Sequence, residues 1–255
     1  MDNDLKSIAA ARRCAETAFE AYRQFLGTDP AQIDAIVDAM ARAIEPEAKR
    51  LGELAVEETG YGNVADKRVK NLFNALSVAD YLRTVTTLGV LWRDDAAKIA
   101  AIGEPMGVVA ALVPVTNPTS TIIYKVLSAV KAGNAIVCAP HPRGVRCGIE
   151  TVRIMAECAE QMGAPKGLIQ CLDHVTIQGT AELMKHRRTS VVMATAGRAW
   201  CAQPILQASR RLPWAQAMCR AMCTPRRPAR SAKWRNRSLL PRVLITARRV
   251  FRSRR

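Results

Sequence analysis

Two spacings of apolar residues alternate along this chain. Residues 108–113 are an unbroken apolar run between Gly107 and Pro114, and residues 135–139 are a second one between Asn134 and Pro140. Short apolar runs bounded by turn residues predict strands buried on both faces. Between them Ile122, Ile123, Val126, Leu127 and Val130 recur at the three- and four-residue intervals of a helix over 119–131. Pro114, Asn117 and Pro118 keep the preceding stretch a loop, and Gly133 with Asn134 suits a left-handed helix cap. Residues 103–143 are thus expected to form a parallel strand–helix–strand crossover. Ligands on such units bind beyond the carboxyl ends of the strands. That places the candidate site in the loops 114–120 and 140–144.

Upstream the pattern is helical. Residues 4–26 carry apolar side chains at helical intervals, and Asp29 before Pro30 reads as an N-cap with proline in the first turn. Ile33, Ile36, Val37, Met40 and Ile44 form one apolar face, Pro46 is expected to interrupt, and helix resumes over 47–59. Residues 60–63 read as a turn, and 64 to about 86 as one long helix. Residues 89–92 and 98–102 are candidate strands. Downstream, 145–162 predicts an amphipathic helix, 168–172 and 190–193 two strands, and 181–185 a short helix. The order β-α-β-α-β-α-β over 106–195 predicts an α/β fold with a doubly wound, parallel, Rossmann-like sheet. Residues 1–103 would form a helical part before it, and 104–197 the nucleotide-binding part.

Charge divides the chain again. The net charge of +16 suggests nucleic acid until it is located. From Arg198 onward there are 15 Arg and one Lys and no Asp or Glu, whereas the first 197 residues hold 22 residues of each sign. All 14 glycines lie at or before Gly197. Two chemically unlike segments meet there, and the basic one, 198–255, is expected to be disordered, because unpaired charge and scattered apolar residues do not offset ordering entropy. Nonspecific, salt-sensitive binding of polyanions by this tail is a further expectation.

No apolar run reaches the roughly 18 residues of a membrane span, and the first residues lack signal-peptide character. Cysteines 14, 138, 147, 158 and 171 and histidines 141, 174 and 186 have no metal-ligand spacing. No metal is expected, and reduced thiols point to a cytoplasmic protein. By residue type alone Asn117 before Pro118 is a turn residue, His141 an exposed loop residue, and Cys138 part of a buried strand.

Five stretches carry a more specific signal: EETGYGNVADKRVKN at 57–71, EPMGVVAALVPVTNPTSTIIYK at 104–125, KAGNAIVCAPHPR at 131–143, GAPKGLI at 163–169 and VVMATAG at 191–197. Together they resemble the aldehyde dehydrogenase superfamily, and PVTNPTST with APHPR resembles its CoA-acylating branch. That resemblance covers residues 1–197. It implies NAD and coenzyme A as cofactors, an aldehyde substrate, acyl-CoA as product, and a homo-oligomer in the intact family. The chemistry it implies is attack of a cysteine thiolate on the aldehyde, hydride transfer to NAD, and thiolysis by CoA. Val113, Pro114, Val115, Thr116 and Asn117 would then lie under the nicotinamide half of the cofactor, with Thr116 or Asn117 near the oxyanion. Pro140, His141, Pro142 and Arg143 would border the adenosine pocket. Thr195 and Gly197 would begin a glycine-rich loop at the pyrophosphate, although Thr-Ala-Gly-Arg-Ala stands where a T-G-G-P-G-type run belongs.

Beyond Gly197 the resemblance stops and the composition is that of a GC-rich gene read out of frame. Taking the last base of each codon with the first two of the next, residues 197–220 can encode PGMVRAAYSSGKPALAVGPGNVP, and 239–255 can encode ASKSFDYGTACVSEQ plus one more residue. The second string holds the family's nucleophile motif. A frameshift near Gly197 is therefore expected, with a truncated family sequence, the catalytic cysteine absent and the product inactive. Two other readings are a basic-tailed nucleotide- or nucleic-acid-binding protein without catalysis, and a regulatory decoy that dimerises with an intact paralogue.

Overall fold

The structure, a computed structural model, describes residues 2–96, 98–195 and 245–249. Helix α1, Asn3–Phe25, starts where the Asp2 side chain accepts a hydrogen bond from the Asp4 N–H, and it buries a stripe of small residues, Ala11, Ala15, Ala18 and Ala21. Helix α2, Pro30–Thr59, begins on Asp29 with proline in its first turn, as expected. It does not break at Pro46. Pro46 and Arg42 sit on the exposed face, so the carbonyl that loses its partner faces water, while Ile33, Ile36, Met40, Ile44, Leu51 and Ala55 bury one continuous face on both sides of the proline. Burial of that face outweighs one missing hydrogen bond. The helix stops at Gly60, whose φ of 72° supplies the left-handed cap.

The long helix expected next is three pieces. Helix α3, Val64–Leu72, passes through a π-helical turn at Phe73–Ser77 into α4, Val78–Arg83. The Thr84-Val85-Thr86 run lies outside it, in keeping with the poor helix propensity of β-branched residues. The two candidate strands are real: β1, Gly89–Asp94, and β2, Ile99–Pro105, pair antiparallel.

The central sheet is built as the pattern required. Strands β3, Val108–Leu112, and β4, Ala135–Ala139, are joined by α5, Pro118–Lys131. A 3-10 turn at Pro142–Gly144 and α6, Val145–Gln161, lead to β5, Ile169–Cys171. Helix α7, Ile177–Lys185, is a turn longer than expected because the Thr176 hydroxyl accepts from the Gly179 N–H at 3.1 Å. It leads to β6, Thr189–Ala194. All four strands run parallel in the order β5-β4-β3-β6. The first two crossovers move one way from β3, and the third returns to its other side. Right-handed crossovers therefore put α5 and α6 on one face and α7, with α1 packed beside it, on the other. Gly107, with φ of +124°, lets β3 approach β6: a Cβ there would stand 2.5 Å from the Ser190 hydroxyl.

The basic tail lies outside the described residues except for 245–249. Those five residues form β7, Ile245–Arg249, antiparallel to β2, so disorder does not hold for them. The open edge of a hairpin offers unpaired backbone groups to any extended segment, whatever its side chains.

Helices α1 and α7 are clasped at Ser7, whose hydroxyl donates to the His174 carbonyl at 2.7 Å and accepts from the Thr176 N–H at 3.1 Å. A Cβ on Gly179 would lie 1.9 Å from that hydroxyl. Gly179→Ala is expected to destabilise the chain by about 1–3 kcal/mol, the usual range for overpacking, despite its higher helix propensity. Urea unfolding of the two proteins checks this.

Candidate functional site

Three carboxyl-terminal strand ends are laced together by backbone bonds: Val113 N–H donates to the Ala139 carbonyl at 3.0 Å and Thr195 N–H to the Leu112 carbonyl at 3.3 Å. The strand order reverses at β3, so the switch-point crevice opens between β3 and β6. Val113, Pro114, Val115, Thr116 and Asn117 leave from one side of it and Thr195 from the other. The Thr195 hydroxyl is buried and has no hydrogen-bond partner of normal geometry among the described residues, although the Tyr124 phenol is near enough to feel it. Gly197 lies outside the described residues. Pro140, His141, Pro142 and Arg143 stand at the end of β4, on the side of β3 away from β6.

Lysines that sequence reasoning did not single out hold this edge. Lys125, on α5, is fully buried, and its Nζ donates to the Leu112 carbonyl at 2.5 Å and the Met193 carbonyl at 2.7 Å. It joins the ends of β3 and β6 from below. Burial lowers its pKa from 10.5 to about 7, with a smaller opposing influence from Cys138. Lys67, on α3, is 3% exposed, and its Nζ donates to the Thr116 carbonyl. Its pKa is also lowered, by burial first and by Lys70 second. Lys70 donates to the Asn117 side-chain carbonyl at 3.4 Å. Buried Asn71 accepts from the Thr119 hydroxyl at 2.8 Å and donates to the Ala48 carbonyl at 3.1 Å. The available signal was a lysine within the apolar stripe of α5, and the DKRVKN end of the first motif.

The loop after β4 is partly spent on structure. The Arg143 guanidinium donates to the Thr59 carbonyl at 2.9 Å and lies 5.8 Å from the centre of the Tyr61 ring, so it is turned back toward α2. His141 is exposed, and its Nδ1 accepts from the Arg143 N–H at 3.1 Å. The amino end of α6 is already filled by a carboxylate: Glu58 accepts from the N–H groups of Arg146 and Cys147 at 2.8 and 2.7 Å.

The thiols are quiet. Burial pushes Cys138 up to about 12, and Cys14, Cys147, Cys158 and Cys171 are all raised, each mainly by burial. Among the described residues no cluster of three or more His, Cys, Asp or Glu suits a metal ion. No helix among them is long and apolar enough to cross a membrane.

The aldehyde dehydrogenase family pattern matches residues 2–217. This chain belongs to the aldehyde dehydrogenase family. The match runs past Gly197, where the five motifs end. Among curated relatives, the bifunctional aldehyde-alcohol dehydrogenase AdhE of Escherichia coli K12 is 35% identical over 191 residues, which are 75% of this chain and 21% of that one. An acetylating aldehyde dehydrogenase from Geobacillus thermoglucosidasius superposes with a TM-score of 0.76 at 48% identity, covering 78% of this chain and 44% of that one. A propionaldehyde dehydrogenase from Rhodopseudomonas palustris, solved with bound CoA and an acylated cysteine, gives 0.70 at 27% identity over 78% of this chain and 45% of that one. The chain thus spans about a fifth of the bifunctional relative and less than half of the two solved enzymes.

Lys125 makes a pH prediction. Its folded pKa of about 7 lies below the ordinary 10.5. Between the two values the unfolded chain holds a proton that the folded chain lacks, so stability rises with pH, by at most about 1.4 kcal/mol per unit. Lys125→Met removes this dependence. Between pH 6 and about 8.5, below the range where the raised thiols act in the opposite sense, the wild type is expected to gain about 1–2 kcal/mol relative to the variant. Urea melts at several pH values read this difference directly.

Proposed function

We propose that this chain carries the first part of the nucleotide-binding domain of a CoA-acylating aldehyde dehydrogenase, and that as translated it turns nothing over. The observation that carries the first half is the switch-point crevice, where the PVTNP loop leaves the end of β3 beside Thr195 at the end of β6. Val113, Pro114, Val115, Thr116 and Asn117 would support the nicotinamide half of NAD, with Thr116 or Asn117 toward the oxyanion. Pro140, His141, Pro142 and Arg143 would border the adenosine of NAD or CoA, through the loop backbone and the exposed imidazole rather than the Arg143 guanidinium. Thr195 and Gly197 would lead toward the pyrophosphate. In the intact reaction NAD supplies the hydride acceptor and CoA the acyl acceptor.

The thiols of the described residues support the second half. Acyl transfer needs a thiolate near neutral pH, and each of the five described cysteines is pushed the other way by burial. The nucleophile belongs to the segment that a frameshift near Gly197 has replaced. With it would go the rest of the cofactor domain and the catalytic domain.

Ligand-observed NMR with NAD and with CoA is expected to show weak, saturable binding in the millimolar range. NADH production from acetaldehyde, NAD and CoA should be absent from this chain and present in the protein made from the gene restored to the alternative frame. Turnover by the chain as it stands would refute inactivity, and an absence of nucleotide binding would refute the cofactor assignment.

A further inference from the structure

The motif EETGYGNVADKRVKN has no role in the reading above, yet it converges on the PVTNP loop. Asn63 caps α3 by accepting from the Asp66 N–H at 2.8 Å, which sets the first turn of the helix. Glycines clear a path for the lysine that follows. A Cβ on Gly52 would stand 3.2 Å from the Lys67 Cβ, and one on Gly62 would stand 3.4 Å from the Lys67 Cε. The Lys67 stem therefore runs buried between α2 and the 60–63 turn, and its ammonium ends on the carbonyl of Thr116. Lys70 and Asn71, one turn on, reach Asn117 and Thr119. Three side chains of one helix hold the end of the loop and the first turn of α5 that follows it.

A buried ammonium is a costly way to hold a loop. Burial disfavours its charge and Lys70 adds to that, and its bond is to a backbone carbonyl, not to a carboxylate. What it fixes is a direction. In a trans peptide the carbonyl of one residue and the N–H of the next point opposite ways. With the Thr116 carbonyl drawn toward α3, the Asn117 N–H is aimed away from α3. Asn117, at φ −144° and ψ 67°, is the last residue before α5 and lacks a side-chain cap bond to it.

We infer that Lys67 is a positioning residue that orients the Thr116–Asn117 peptide, so that its N–H, and not its carbonyl, is presented to the nucleotide or acyl group at the crevice. The inference rests on the proposed nucleotide-binding function, and its test has an arm that does not depend on that function.

The test uses the ¹⁵N-labelled full chain and the variants Lys67→Met, which keeps the buried stem and removes the donor, and Lys67→Arg, which keeps a donor. Relaxation of the amides of Val115, Thr116, Asn117 and Thr119 is measured without ligand. Order parameters near 0.85 are expected in the wild type and below about 0.6 in Lys67→Met, with the α1 amides unchanged. NAD is then titrated while the Asn117 amide is followed. An affinity at least fivefold weaker in Lys67→Met, with at least half of the loss recovered in Lys67→Arg, supports orientation over packing. If the wild type binds no NAD, the nucleotide reading fails and the relaxation data still judge Lys67. Unchanged order parameters and affinity in Lys67→Met overturn the inference. So does equal loss in both variants. Should Lys67→Met fail to fold, the wild type alone decides: a loop already below about 0.6 leaves no fixed peptide to orient.

Discussion

Strand β3 is buried along its whole length, and most of the architecture follows from that. Its backbone groups can be satisfied only by neighbours on both edges, which β4 and β6 provide in parallel register. Its side chains, Val108 to Leu112, can be covered only by helices on both faces. The problem returns where the pairing ends. Carbonyls at the carboxyl ends of β3 and β6 emerge into a partly buried edge where backbone pairing runs out, the Thr195 N–H on Leu112 being the last such bond from β6. Lys125 answers Leu112 and Met193, and Lys67 answers Thr116 in the loop beyond. Their charge is an unusual one to bury, and the lowered pKa values are its electrostatic signature.

Burial that suits the core works against chemistry. The five described thiols sit in strands and helices where desolvation favours the protonated form. The residues at the switch point are a different set: a proline-bounded loop, a threonine hydroxyl and backbone groups. Such groups bind and orient; they do not attack. The proposed first part of a nucleotide cradle, with no activated thiol among the described residues, is coherent with the family to which the chain belongs and with the fraction of its relatives that it spans. The amino end of α6 fits the same picture, since Glu58 already occupies the place where a phosphate would compete.

Much of this was legible in the residues. Uninterrupted apolar runs gave β3 and β4, and proline with aspartate gave the start of α2, because backbone sterics and period decide these locally. The loops at 113–117 and 140–143 were found for the same reason, since strand ends are marked by Pro, Asn and Gly. Pro46 was misread because a local rule, the missing N–H, was outweighed by burial on both sides of it. The π-helical turn at Phe73–Ser77 had no local sign at all.

The sequence alone therefore determined the strand–helix alternation, the position of the loops at the strand ends and the family, all of which depend on neighbours within a few residues or on short motifs. Tertiary structure alone decided which polar groups meet across long separations. Lys67 is 49 residues from Thr116, Lys125 is 68 from Met193, and Arg143 is 84 from Thr59. No spacing rule links such pairs. They meet because parallel strands bring distant ends to one edge, and a buried carbonyl there accepts whichever donor the packing delivers.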